Sequence, residues 1–126
     1  MLRLRWLPLA LLALAQPAVA APPMTLGEFV DRWAALEARA DDLRDDDPEY
    51  VTLRQKVIDA ARAYRKYIAD AVAAGQPAPG CPPPPGQGSL DSDIFYPRLR
   101  TLPEHRRTES FESAMFSVMN AMFPCT

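Results

Sequence analysis

Six prolines, Pro77, Pro79 and Pro82 to Pro85, fall within nine residues around Cys81. Proline has no amide hydrogen to donate, and its ring clashes with the preceding helical turn. The stretch 75–89, from Gly75 to Ser89, is therefore neither helix interior nor central strand but a stiff, extended linker. It divides the chain, and each side must supply its own regular structure. Because it carries Cys81, it also decides where a covalent tie can begin.

Cys81 and Cys125 are the only cysteines, so the arithmetic permits one disulfide or two unlinked thiols. The compartment weighs between them. Met1 to Arg5 is basic, Trp6 to Ala15 is apolar, and Ala18-Val19-Ala20 offers a small-x-small cleavage site. That order reads as a secretory signal peptide over 1–20. An apolar run this short, interrupted by Pro8, does not reach across a bilayer core of ~30 Å, so it is not an anchor. Neither cysteine closely follows the apolar run, which excludes the lipoprotein pattern. Cleavage after Ala20 leaves one domain, 21–126, of 106 residues, and loss of Arg3 and Arg5 moves the formal charge from −2 to −4. A nucleic-acid binder would present a basic face, so this acidic balance argues against one. Export, to the periplasm or beyond, favours the Cys81–Cys125 bridge. Closing that loop would stabilise the fold by about 4 kcal/mol on the chain-entropy account.

With 48% hydrophobic and 24% charged residues, the chain is too apolar for general disorder. Its periodicity is helical throughout. Thr25-Leu26-Gly27-Glu28 matches a capping box, with Met24 and Phe29 placed as a hydrophobic staple. Leu26, Phe29, Val30, Trp33, Leu36, Ala40 and Leu43 then recur at helical spacing, which predicts a first helix over 26–43. Asp47 followed by Pro48 is an N-cap with proline at the first helical position. It predicts a second helix from Pro48 to Ala74, stopped by Gly75 and buried along Leu53, Val57, Ala61, Tyr64, Ile68, Ala71 and Val72. Gln55, Asp59, Arg62 and Lys66 occupy its opposite side. Phe95, Leu99 and Leu102 predict a third helical piece within 91–102, either kinked or short, with a fresh start at Pro97 as one form of it. Thr101-Leu102-Pro103-Glu104 then resembles the capped start of a last helix. Phe111, Met115, Phe116, Val118, Met119, Met122 and Phe123 spread over a broad arc of that helix, which should touch several neighbours at once. No segment alternates with a strand's period of two. The expected fold is all-α, a small four-helix bundle with one disulfide.

The chemistry-bearing residues are few. His105 is the single histidine, and the sequence has no G-x-S-x-G, H-E-x-x-H, C-x-x-C or phosphate-cradling glycine loop. A histidine within Glu104-His105-Arg106-Arg107 reads as solvated rather than as a base held by a third group. No catalytic, cofactor-binding or metal site is assigned. Six carboxylates lie between Asp41 and Glu49, but calcium loops use a glycine for their sharp turn and this run has none. A solvated loop with Asp47 as cap is the favoured reading; a weak cation site or a docking patch for a basic partner are the alternatives. Arg98, Arg100, His105, Arg106 and Arg107 read as a solvated helix junction ahead of a patch for an acidic partner. The methionines of the last helix read as core ahead of an adaptable client surface.

The segment from Cys81-Pro-Pro-Pro through Leu99-Arg100-Thr101-Leu102-Pro103-Glu104-His105-Arg106 to Phe123-Pro124-Cys125 resembles the C-terminal half of the Rap1a/Tai family of small periplasmic proteins. The likeness covers 45 of the 106 residues that follow the signal peptide. The chain departs from the family pattern in having no third cysteine, and in Asp70 where Tyr67-Ile68-Ala69-Asp70 would carry a glycine. The resemblance implies a compact helical bundle similar in plan to the acid-stress chaperone HdeA. It also implies a non-enzymatic immunity protein that binds a protein partner, a peptidoglycan-cleaving effector, and occludes it. The alternative is an HdeA-like periplasmic stress chaperone, or a periplasmic protein of another role. The sequence sets no oligomeric state.

Overall fold

Residues 15–88 and 91–126 are described by a computed structural model. Helix α1 spans Leu26–Glu37, α2 Pro48–Ala73, α3 Ser92–Arg100 and α4 Phe111–Met122, with 3₁₀ turns at Ala40–Asp42 and Glu104–Thr108. The described residues thus form an all-α fold with one disulfide. The N-terminal part of the expected signal peptide, 1–14, lies outside the described residues, and 15–23 is exposed and irregular.

The N-termini of α1 and α4 are built as a pair. Thr25 Oγ1 accepts from the Glu28 amide at 3.1 Å and Ser110 Oγ from the Ser113 amide at 3.1 Å, each quieting an orphan donor. The two caps also face each other across an isolated antiparallel bridge. Through it the Leu26 amide donates to the Glu109 carbonyl at 2.9 Å, and the Phe111 amide donates to the Met24 carbonyl at 2.8 Å. The first residue of each helix is thereby satisfied by the strand-like entry of the other. Directly behind, the Phe29 and Phe111 rings stack with centroids 4.0 Å apart. The reciprocal arm expected of the capping box is not made among the described residues. Glu28 instead accepts from Arg32 at 3.3 Å.

Three boundaries differ from expectation, each for a physical reason. Helix α1 ends at Glu37, not 43. Continuing it would place Asp41 and Asp42 at the negative end of the helix dipole. The chain tightens into a 3₁₀ turn instead, letting Arg39 reach Asp47 at 2.9 Å while Leu43 still packs on the core. Helix α3 is short, as expected, but runs through Pro97 without a fresh start. In so short a helix the missing donor costs one bond, and the Pro97 carbonyl still accepts from Thr101 at 3.2 Å. The last helix begins at Phe111 rather than near Glu104. Residues 104–108 form a 3₁₀ turn whose arginines clasp neighbouring elements, and Ser110 is the true cap. By contrast α2 starts at Pro48 under the Asp47 cap. It closes in a Schellman arrangement: the Gly75 amide donates to Val72, the Gln76 amide to Ala71, and Gly75 adopts φ 75°.

Helix α4 packs on α1, α2 and α3, as its broad apolar arc requires. Met115 and Met119 are buried, together with Leu26, Phe29, Leu53, Tyr64 and Leu99. On α2 the buried positions are Leu53, Val57, Ala60 and Tyr64, whereas Ile68 is half-buried and Val72 exposed. The far end of α2 overhangs the bundle.

The proline stretch is a strap laid across α2 and α4. Cys81 and Cys125 form a disulfide with Cα atoms 5.0 Å apart, and the Cys81 amide donates to the Phe123 carbonyl at 2.8 Å. Arg65 of α2 donates to the Pro83 carbonyl at 2.9 Å. Beneath the strap the buried Tyr64 hydroxyl donates to Asn120 Oδ1 at 2.7 Å, joining α2 to α4. Burial raises the Tyr64 pKa, so the phenol stays a donor at any ordinary pH. Gly80 sits directly on this pair: a Cβ there would lie 1.9 Å from the Tyr64 hydroxyl and 3.0 Å from Asn120 Oδ1. A rigid ring held by a buried hydrogen bond cannot step aside cheaply. Gly80→Ala should therefore destabilise the protein by about 2–3 kcal/mol, a melting temperature lower by roughly 10 °C. Thermal denaturation followed by circular dichroism, with Gln87→Ala as the neutral control, measures it.

Candidate binding groove

The sequence-derived candidates are dispersed by the fold. His105 stands exposed on the 3₁₀ turn and makes no hydrogen bond among the described residues. The acidic run divides by role. Asp47 accepts from the Glu49 and Tyr50 amides at 2.9 and 3.1 Å as the α2 cap. Glu49 takes a two-pronged grip from Arg32, with Nε at 2.6 Å and Nη2 at 2.8 Å, binding α2 to α1. Asp46 meets Arg44 at 3.1 Å in solvent. Among the described residues no group of three acidic, histidine or cysteine side chains is arranged to hold a metal ion.

Of the basic run, Arg100, Arg106 and Arg107 are engaged internally, whereas Arg98 is exposed and has no ion-pair partner among the described residues. Arg107 crosses α1 where Gly27 leaves room, donating to Asp31 at 2.7 Å and to the Gly27 carbonyl at 3.3 Å. Arg106 lies 2.6 Å from Glu109 and donates to Ser117 Oγ at 2.8 Å. Arg100 rests over the Tyr96 ring, 5.5 Å from its centroid. These arginines are clasps rather than a patch. Cys81 and Cys125 meet as expected.

The site that does form was not singled out by motif. An open groove of about 480 Å³ lies where α1, α2 and the start of α3 converge. Its floor is apolar: Trp33 from α1, Val57, Ile58 and Ala61 from α2, and Phe95 from α3. Trp33 is fixed from several sides. It stacks on Phe29 at 5.8 Å, meets Phe95 edge-on at 6.4 Å and tilts against Tyr96 at 5.6 Å. The aromatic wall is therefore preformed, and only part of the indole faces solvent.

The rim is cationic on the α2 side, while the exposed Asp91, the cap of α3, lines the opposite side. Arg54, Arg62 and Arg65 line the α2 side and all three are exposed. Arg65 is held by the strap, and Arg62 lies 3.9 Å from Asp59. Arg54 has no ion-pair partner among the described residues. Arg62 is exposed, as expected of the solvent side of α2, and there it also stands on the groove's rim. Arg54, Ile58, Ala61, Arg62 and Arg65 recur at helical spacing, so the stripe could have been found on a helical wheel. Trp33 and Phe95 could not, since their meeting depends on how α1 and α3 dock.

Comparison of the chain with protein families, curated sequences and solved structures returned no match.

Ion pairs set the floor's frame. Backbone donation from Tyr50, then Arg39, holds the Asp47 carboxyl below its ordinary range, and the Arg32 grip does the same for Glu49. Groups depressed in the folded state add stability that is complete above their unfolded values, near pH 4, and fades as pH falls through the folded ones. Melting temperature should hold between pH 5 and 7 on this account and fall below about pH 4. Glu49→Gln should lower the plateau and make the acid decline shallower. A series of melts across pH on both proteins checks the sign.

Proposed function

We propose that this chain is a non-enzymatic exported protein that binds a protein partner and blocks it sterically, in the manner expected of Rap1a/Tai-type immunity proteins. The observation that carries the reading is the groove: a preformed aromatic floor with a charged rim, held on a bundle stapled by a disulfide. Such a surface loses little side-chain freedom when a partner settles on it, which favours tight association. Apolar pockets with a few placed charges are the usual form of a recognition site. The disulfide fits an oxidising compartment, and no helix among the described residues is long and apolar enough to cross a membrane. Periplasmic residence and a peptidoglycan-cleaving partner follow from the resemblance of the Cys81 to Cys125 segment.

A second reading has one observation behind it. Carboxylate pairs tie α1 to its surroundings, Arg32–Glu49 to α2 and Arg107–Asp31 to the 3₁₀ turn. Protonation of Glu49 would release the tie to α2 and loosen α1 from the bundle, a change of the kind an acid-activated chaperone requires.

One experiment separates the two. The oxidised protein is mixed in turn with purified peptidoglycan-cleaving enzymes of different bond specificity, and clearing of purified peptidoglycan is followed at pH 7. Near-stoichiometric inhibition is expected; undiminished clearing at about tenfold excess contradicts occlusion. Suppression of client aggregation at pH 2 with no inhibition at pH 7 would favour the chaperone.

A further inference from the structure

The three rim arginines are spaced along a single helix. Taking Arg54 as origin, Arg62 and Arg65 lie eight and eleven residues on, or roughly 12 and 16 Å along the α2 axis. Ile58 and Ala61 fill the interval. The surface therefore presents cation, apolar pair and cation pair in a line about three turns long. The walls are helices, with no open strand edge among the described residues to receive an extended peptide.

We infer that the groove receives an acidic amphipathic helix of the partner, lying along α2 with carboxylates on the arginines and one or two large apolar side chains in the cavity. The inference rests on the binding function proposed above and specifies its occupant. Volume sets the anchor size, since about 480 Å³ holds a few side chains and not a whole helix. Charge sets the sign: three arginines on the α2 side face a single carboxylate, Asp91, on the α3 side, which leaves the groove net cationic and places the acidic face of the occupant toward α2. The chain as a whole is acidic, at −2, so the rim is a local reversal of its field and selects an acidic segment against most of its surface. Arg54 and Arg62 carry no more than one distant carboxylate between them, so a partner's carboxylates displace little. Arg65 is pre-placed by the Pro83 carbonyl, which links the strap to the recognition surface.

The test uses an alanine-based peptide with glutamates at the spacing of the three arginines and leucines at the spacing of Ile58 and Ala61, made in both chain directions. Binding to the oxidised protein is read by calorimetry and by the fluorescence of Trp33. One direction of the glutamate peptide should bind about tenfold tighter than its glutamine counterpart and weaken severalfold as salt rises. Arg54→Glu with Arg62→Glu, which leaves the Arg65 contact to the strap intact, should abolish that preference with circular dichroism unchanged. Equal binding of glutamate and glutamine peptides, or binding of neither, overturns the inference. Sedimentation showing a dimer that the double variant dissociates also overturns it, since the occupant is then a second copy. Hydrolase inhibition that survives the double variant removes this groove from the mechanism while leaving occlusion standing; inhibition lost with the fold intact supports both.

Discussion

The structure depends on the closure at its C-terminal end. One covalent bond joins Cys81 to Cys125, and one backbone bond beside it joins Cys81 to Phe123. Underneath, the Tyr64 hydroxyl reaches Asn120 across the α2–α4 interface. Prolines make the strap stiff, so a tie at one point constrains its neighbours as well. The disulfide removes freedom from the unfolded chain. The buried tyrosine bond decides which arrangement the folded chain takes, since leaving its partners unpaired would cost the full desolvation penalty. The two effects act on different states and reinforce one another.

A second closure stands at the other end, where the entries of α1 and α4 satisfy each other's first amides and the Phe29 and Phe111 rings stack behind them. Helix α4 thus has a fixed beginning and a fixed end. Helices α1 and α2 are positioned on it and on each other by Arg32–Glu49. The groove lies between these fixed points: its floor comes from α1, α2 and α3, and its cationic rim is a single face of α2. Shape at this site is a consequence of fold-wide constraints. That is why a chain whose single histidine is exposed can still present a defined groove.

Much of the fold is legible in the sequence wherever one local signal dominates. Asp47-Pro48 marks the start of α2 and Gly75 its end, because capping and a left-handed turn are settled by adjacent residues. The breadth of the last helix's apolar arc foretells that α4 meets three others. Legibility fails where distant groups compete. Leu43 keeps helical spacing with α1, yet Arg39 is drawn to Asp47 and the helix stops at Glu37. Ser110 caps α4, but its claim becomes visible only once Thr25 is known to lie opposite. Arg106 and Arg107 read as a solvated junction until the fold turns Arg106 to Glu109 and brings Arg107 across Gly27 to Asp31. The groove is a case of the same kind: its arginine stripe is written in α2, while its aromatic floor exists only after docking.

Equilibrium unfolding in urea, with the protein fully oxidised and then fully reduced in the same buffer, weighs the C-terminal closure. If the strap staples the bundle, the reduced chain should lose about 4 kcal/mol and still unfold in one transition. An identical midpoint for the two forms would mean that the strap is passive and that the helices hold the groove without it.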